Sequence, residues 1–376
     1  MENHSSLRSF CQRAGSAASP FPKICLAILI AATMAPAQDT FKGVKRIIAI
    51  GDVHGEYDRF VNILHTAQLI DKKNRWTGGK THLVMVGDLI DRGPASAKVM
   101  DLLIKLEPEA RRAGGYVHVL LGNHEAMNIY GDLRYVSNED FASYTTPDSE
   151  NLRNRAMALA LENLKRAGNP PPDEETFRKE FEAKHPLGWV EQRLAFSPEG
   201  KYGKWLRQKN VIIRINDLLF VHGGISPKYA TKSRKEINAT VRAELNDLSK
   251  IPNGMAVDPD GPLWYRGLAE LPENDPALVA HVDEVLKLNQ ARHIVIGHTP
   301  ARGITLRFGG KVIQVDVGLV FSPSAPEAFL EVQGSSYYAV QNGLRTKLPI
   351  DGTSADAARD PKRHPVPQEV ELAYAN

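Results

Sequence analysis

The sequence predicts an α/β fold, with a sheet covered by helices. Three observations carry that reading. From Val44 onward apolar strands alternate with segments of helical spacing. The strands are apolar without a break, as in sheets covered on both faces. Nearly every strand ends in a polar residue flanked by glycine.

The elements follow in order. VKRIIAIGD reads as the first strand. YDRFVNILHTAQLI has Phe60, Val61, Leu64 and Leu69 at helical spacing. THLVMVGD is a second strand, and PASAKVMDLLIKL a helix with Pro94 at its first position. YVHVLLGN is a third strand. Between Glu125 and Lys209 the texture changes. SENLRNRAMALALENLKRAG sets Leu152, Ala156, Met157, Leu161 and Leu164 on one face, with Ser149 as cap and Gly168 as stop. After the linker NPPPDEE, Phe177 and Phe181 stand four apart on a second helix. This predicts a mostly helical insertion over about residues 126–209, expected to form a lid or wall over a site. VIIRINDLLFVHGG reads as a hairpin with Asn216-Asp217 at its tip. The helix DEVLKLNQ leads into the strand RHIVIGH, followed by KVIQVDVGLV and AFLEVQGSSYYAVQ. Residues 351–376 are polar and Pro-rich and read as a flexible tail.

The N-terminus reads as an address. Arg8, Arg13 and Lys23 precede ICLAILIAATMA, an apolar run over residues 24–35. A bilayer span needs about 20 apolar residues, whereas a secretory core needs about 7–15. Ala35-Pro36-Ala37 then offers a small-residue cleavage site. Residues 1–37 are therefore expected to be a cleavable signal peptide, leaving a catalytic domain over 38–350. That domain is expected in the periplasm or outside the cell, with no stable membrane span after processing. Cys11 and Cys25 both lie in the leader, so the processed chain would have no disulfide, thiolate ligand or cysteine nucleophile. Of the net charge of +3, the leader holds three basic residues against Glu2, so the rest stands near +1. No basic stripe interleaved with aromatics occurs, and nucleic acid is not an expected partner.

The chemistry lies at the strand ends. GDVHG supplies Asp52 and His54; GDLIDRG supplies Asp88, Asp91 and Arg92; GNHE supplies Asn123 and His124; VHGG supplies His222; IGHT supplies His298. Loops at such ends converge on one edge of a sheet. Singly each residue has an ordinary alternative: a helix cap for Asp52, a hydrogen-bonded core position for His222, a surface ion pair for Arg92. Their recurrence at five strand ends points to a site instead. Carboxylate, amide and imidazole donors without thiolate suit Mn, Fe or Zn. They exceed what one open site needs, so two ions sharing a bridging carboxylate is the economical reading, a centre suited to displacement at phosphorus. Other motifs fail: Gly79-Lys80-Thr81 lacks the first glycine of a phosphate loop, HEAMN lacks a second histidine, and no Gly-x-Ser-x-Gly elbow occurs.

The ordered set GDVHG, GDLIDRG, GNHE, VHGG and IGHT resembles the metal-dependent phosphoprotein phosphatases, a calcineurin-like family. It is most similar to the branch called Shewanella-like phosphatases, over about residues 46–320. The resemblance implies a metallophosphoesterase-type α/β/β/α sandwich of mixed sheets carrying the helical insertion. It implies Asp52 and His54 as ligands of one metal, Asp88 as the bridge, and Asn123, His222 and His298 as ligands of the other. It implies Arg92 as a phosphate-binding arginine, with Arg266 of GPLWYRGL as a second. His124 is implied as proton donor to the leaving oxygen and Asp91 as the acid that orients it. Beside an ionised Asp91, His124 is expected to have a raised pKa and stay protonated. Two divalent ions are implied, Mn²⁺ first, with Fe, Zn or Co allowed. The implied reaction is phosphomonoester hydrolysis by direct attack of a metal-bridging hydroxide, on phosphoproteins at Ser/Thr or Tyr or on small phosphoesters. The alternatives are a dinucleoside polyphosphate hydrolase and, in another class, a non-catalytic phosphate-binding metalloprotein. In place of the Ser-Ala-Pro-Asn-Tyr loop of the eukaryotic serine/threonine members stands QVDVGLVFSPS, without a tyrosine.

Overall fold

The central strands are apolar on both faces because they lie between a second sheet and a layer of helices. The computed structural model describes residues 38–171 and 173–350; the expected signal peptide and tail lie outside the described residues. Along the chain run β1 (Thr40–Phe41), β2 (Arg46–Ile50), α1 (Tyr57–Thr66), β3 (His82–Met85), α2 (Ser96–Arg112) and β4 (Tyr116–Val119). Helices follow: α3 (Asn123–Tyr130), α4 (Asn138–Ser143), α5 (Ser149–Arg166), α6 (Glu174–Lys184), α7 (Trp189–Phe196) and α8 (Lys201–Leu206). Then come β5 (Ile212–Ile215), β6 (Leu218–Val221), α9 (Arg234–Asn246), α10 (Gly267–Glu270), α11 (Pro276–Asn289), β7 (His293–Ile296), β8 (Thr305–Arg307), β9 (Val312–Gln314), β10 (Ala328–Gln333), β11 (Ser336–Gln341) and β12 (Leu344–Lys347).

The strands form two mixed six-stranded sheets, β12-β11-β10-β2-β3-β4 and β1-β5-β6-β7-β9-β8. In the first, β2, β3 and β4 are parallel and β10 is antiparallel to β2. Side chains alternate between faces. Ile47 and Ala49 of β2 cluster with Val84, Ile213, Phe220 and Val295 between the sheets. Ile48 and Ile50 point the other way and cluster with Phe60 and Leu64 of α1 and Val99 and Leu103 of α2. On the second sheet, Leu219 and Ile294 cluster with Val241 of α9 and Val282 of α11. A fully buried Ile such as Ile48 contributes about 1.5–3 kcal/mol. The predicted α/β/β/α sandwich of mixed sheets is what the chain forms.

Most predicted elements are present, with shifted ends. α1 stops at Thr66, because Gln68 turns to φ 57° and sends Leu69 back into the core. The hairpin joins antiparallel β5 and β6, with Asn216 at φ 54° in its turn. α11 begins well before DEVLKLNQ, at Pro276, where Asp275 accepts from the backbone N–H of Ala277 at 2.8 Å. At α5 the cap position belongs to Asp148, and Ser149 is already helical. AFLEVQGSSYYAVQ is a hairpin of β10 and β11. α9 was not legible as a helix, although Ser233 and Glu236 form a capping box. Asn238 of α9 holds β5 in place, accepting from the N–H groups of Val211 and Ile212 at 2.7 and 3.1 Å and donating to Ile212 O at 2.8 Å. Among the described residues no helix is long and apolar enough to cross a membrane.

Candidate active site

The loops after β2, β3, β6 and β7 and the first turn of α3 meet in one cleft of about 220 Å³. Its lining includes Asp52, His54, Asp88, Arg92, Asn123, His124, Arg266 and His298. His222 lies at its floor, fully buried. Asn123 and His124 stand on α3 rather than at a strand end, since β4 stops at Val119. His54, Asp88, Asp91, Arg92 and His298 all take positive φ, between 47° and 70°. Such backbone is costly for non-glycine residues and concentrates at functional sites.

Asp88 is the centre. Its Oδ2 lies 3.8 Å from His54 Nε2, 3.8 Å from His124 Nε2 and 3.3 Å from His222 Nε2. Two groups of three donors share it, His54–Asp88–His124 and Asp88–His222–His298, each with its ligand atoms within 4.8 Å of one another. Asp52 stands beside the first, 4.0 Å from His54 Nε2, and accepts from the backbone N–H of His298 at 3.1 Å. Glycine makes room: a Cβ on Gly122 would lie 2.1 Å from Asp88 Oδ1.

The second nitrogen of each imidazole assigns its role. His54 Nδ1 donates to Ile90 O and His222 Nδ1 to Val86 O, both at 2.9 Å. Their Nε2 lone pairs therefore face inward. His222 Nε2 then meets Asn123 Oδ1 at 3.0 Å, so acceptors converge where only a proton or a cation can reconcile them. Burial lowers the His222 pKa, but the Asp88 carboxylate outweighs it and leaves the pKa raised. His298 Nε2 donates to Trp264 O at 3.1 Å, leaving Nδ1 for a ligand. These residues fit two divalent cations with Asp88 common to both.

His124 differs. Its Nδ1 meets a carboxylate, Asp91 Oδ2, at 2.7 Å, which suits a ring that gains and loses a proton. Asn128 Nδ2 in turn donates to both Asp91 oxygens, at 2.9 and 3.0 Å. The expectation that Asp91 would raise His124 needs correction. Burial dominates, pushing the Asp91 carboxyl up to about 8 and the His124 imidazole down to about 4.

Arg92 is clamped between Tyr135, 4.6 Å from its ring centroid, and Phe321, at 4.9 Å. Its Nε is buried without a hydrogen-bond partner among the described residues. Arg266 Nη1 donates to His298 O at 2.9 Å and Thr299 Oγ1 at 3.1 Å, which holds the guanidinium at the same cleft.

Several residues here had no assigned role in the sequence. Glu125, fully buried, accepts from the N–H groups of Gly122, Asp88 and Leu89 at 2.7, 2.9 and 2.8 Å, tying the Asp88 loop to α3. Burial and Asp88 push its carboxyl up to about 7. Asp316 lines the cleft, pushed up to about 6 by burial. An acid inside an apolar run, VIQVDVGLV, is the signal for Asp316. Among the described residues of 126–209, Tyr135 is the one that lines this cleft. The insertion's long helices α5 and α6 point outward and bury only Ser149, Met157 and Phe181.

Comparison with known proteins agrees with this geometry. The model of the calcineurin-like phosphoesterases matches residues 45–302. The chain belongs to this family. Within the family it is similar to Shewanella-like protein phosphatase 2 of Arabidopsis thaliana, 29% identical over 89% of this chain and 88% of that one. It is 30% identical to an uncharacterised protein of Schizosaccharomyces pombe over 80% of this chain and 82% of the other. The crystal structure of a cold-active protein-tyrosine phosphatase of a psychrophile Shewanella species superposes with TM-score 0.63 at 30% identity, covering 83% of each chain. These three relatives match over 80%, 89% and 83% of this chain.

Proposed function

We propose that the protein is a dinuclear metal-dependent phosphatase that hydrolyses phosphomonoesters, with phosphorylated protein as its substrate class. One observation carries this reading: two donor groups sharing Asp88 open on the same cleft as Arg92, Arg266 and the His124–Asp91 pair. Asp52, His54 and Asp88 would hold one ion, and Asp88, Asn123, His222 and His298 the other. When bound, two such ions supply Lewis acidity and lower the pKa of water to roughly 7. Arg92 and Arg266 bind and neutralise the phosphoryl oxygens; a guanidinium grips two of them at once. Stacking between Tyr135 and Phe321 fixes the plane of Arg92 before substrate arrives. His124 Nε2 delivers the proton to the departing oxygen, while Asp91 holds the ring through Nδ1.

The all-nitrogen-and-oxygen donor set favours Mn²⁺, with Fe, Zn or Co also accepted. The names of the Arabidopsis and Shewanella relatives support phosphoprotein as substrate, at Ser/Thr or Tyr. The three basic residues and the apolar run of residues 24–35 support a signal peptide over residues 1–37 and with it a periplasmic or secreted site of action. The test is hydrolysis of an aryl phosphate and of phosphopeptides by purified protein, with and without added Mn²⁺. Metal-dependent turnover is expected; a folded, metal-loaded protein inert on all of them refutes the proposal. Mass measurement of the exported protein, expected to begin at Gln38, checks the leader.

A further inference from the structure

The hydrogen-bond chain behind His124 does not stop at Asp91. Asn128 Nδ2 serves both Asp91 oxygens and, within its own helix, His124 O at 3.0 Å. The two ends of an asparagine amide have nearly the same shape, so its orientation is set by hydrogen bonding and not by packing. Turned over here, it would aim Oδ1 at the Asp91 carboxylate and at the His124 carbonyl. Those acceptors favour the productive face from one side, and the insertion holds it from the other. Gln192 of α7, 64 residues further on, donates its Nε2 to Asn128 Oδ1. Its neighbour Arg193 donates Nη1 to the main-chain Asn128 O at 2.7 Å, gripping the last turns of α3. Gln192, Asn128 and Asp91 are each 1% exposed and His124 is 2% exposed, so water cannot replace a lost link.

We infer that Gln192 is a positioning residue for proton delivery: it fixes the amide of Asn128, which fixes Asp91, which fixes the ring of His124. The inference rests on His124 acting as the proton donor. It gives the insertion a task different from a lid: α7 buttresses the acid from behind. Buried amide pairs also occur as plain packing, so the test must read the proton step itself.

That step matters in proportion to the basicity of the leaving oxygen. kcat and KM are measured with Mn²⁺-loaded full-length protein on p-nitrophenyl phosphate, phenyl phosphate and an alkyl phosphate. The variants are Gln192→Met and Gln192→Leu, which fill the space without a donor, and His124→Asn. Folding is checked by circular dichroism and thermal melting, and either Gln192 variant suffices. For phenyl and alkyl phosphate, kcat is expected to fall by up to about 100-fold, the scale of a displacement of about 1 Å at a reacting group. For p-nitrophenyl phosphate the fall is expected to stay within about threefold, since that leaving group needs little protonation. KM is expected to stay unchanged. His124→Asn is expected to show the same leaving-group pattern more strongly, by about 10²–10⁴-fold on the poor leaving groups. Equal losses on all three substrates, or none, from the Gln192 variants while His124→Asn still discriminates would overturn the inference alone. A His124→Asn variant that does not discriminate would overturn the acid assignment and this inference with it. Wild-type protein inert on every substrate would instead overturn the phosphatase reading.

Discussion

Gly122→Ala is a small change with a calculable effect. Gly122 has φ −99° and ψ −177°, backbone that alanine adopts freely, so only the added methyl acts. That methyl would stand 2.1 Å from Asp88 Oδ1 and 2.6 Å from the Asp88 nitrogen. Real Cβ contacts stay beyond 3.0 Å. The Asp88 carboxylate must therefore retreat by roughly 1 Å, a displacement expected to cost about 100-fold in turnover. Overpacking adds about 1–3 kcal/mol of lost stability. Metal content by elemental analysis, kcat/KM on an aryl phosphate and thermal melting read the three effects separately. Gly203→Ala is the control: its Cβ would meet Ser197 O at 2.0 Å, on α8 and away from the cleft. It should destabilise while leaving metal per folded molecule unchanged. If Gly122→Ala keeps full metal and full turnover, or if Gly203→Ala loses metal equally, Asp88 does not depend on the space that Gly122 leaves.

Other outcomes are expected together. Asp88→Asn should lose metal occupancy and nearly all activity, since two donor groups share that carboxylate; elemental analysis and a rate assay check it. Asn238→Leu strands two buried N–H groups and a carbonyl of β5, and should cost about 3–5 kcal/mol in urea unfolding. His82 and His118, hydrogen-bonded at 2.9 Å away from the cleft, give a pH signature. Burial pushes His82 down to about 4 and His118 lower than usual. With folded pKa values depressed, the unfolded chain binds more protons below about 6.5, so stability falls as pH drops from there toward 4. Unfolding midpoints at pH 7 and pH 5 should converge in His118→Phe relative to wild type; an unchanged pH slope would contradict this.

What was legible in the sequence were features expressed over a few residues. RIIAI is apolar on both faces, and the ligands follow their strands within a short glycine-rich turn. Asp52, His54, Asp88, Asn123, His222 and His298 could therefore be picked out, and they meet in space. What was not legible depends on partners far away in the chain. Glu125 earns its place through Leu89, 36 residues earlier, and Gln192 through Asn128, 64 residues earlier. Neither spacing leaves a mark on local pattern. The proton balance of His124 and Asp91 failed for a related reason: the motif shows who the neighbours are but not that water is excluded. The insertion was readable as helices because its face repeats, yet nothing in that repeat says which way the face is turned.

The cleft draws on both ends of the domain. Asp52 follows β2 of one sheet, while the amide it accepts belongs to His298, 246 residues later and after β7 of the other. A nascent chain must therefore emerge almost entirely before this pocket has two walls. Until then Asp52, His54 and Asp88 can meet at the end of the first sheet, but the donor group of Asp88 and His222 lacks its third member, His298. Completion of that second donor group is thus a closing event in biogenesis, and a truncated polypeptide ending before the IGHT loop would lack His298.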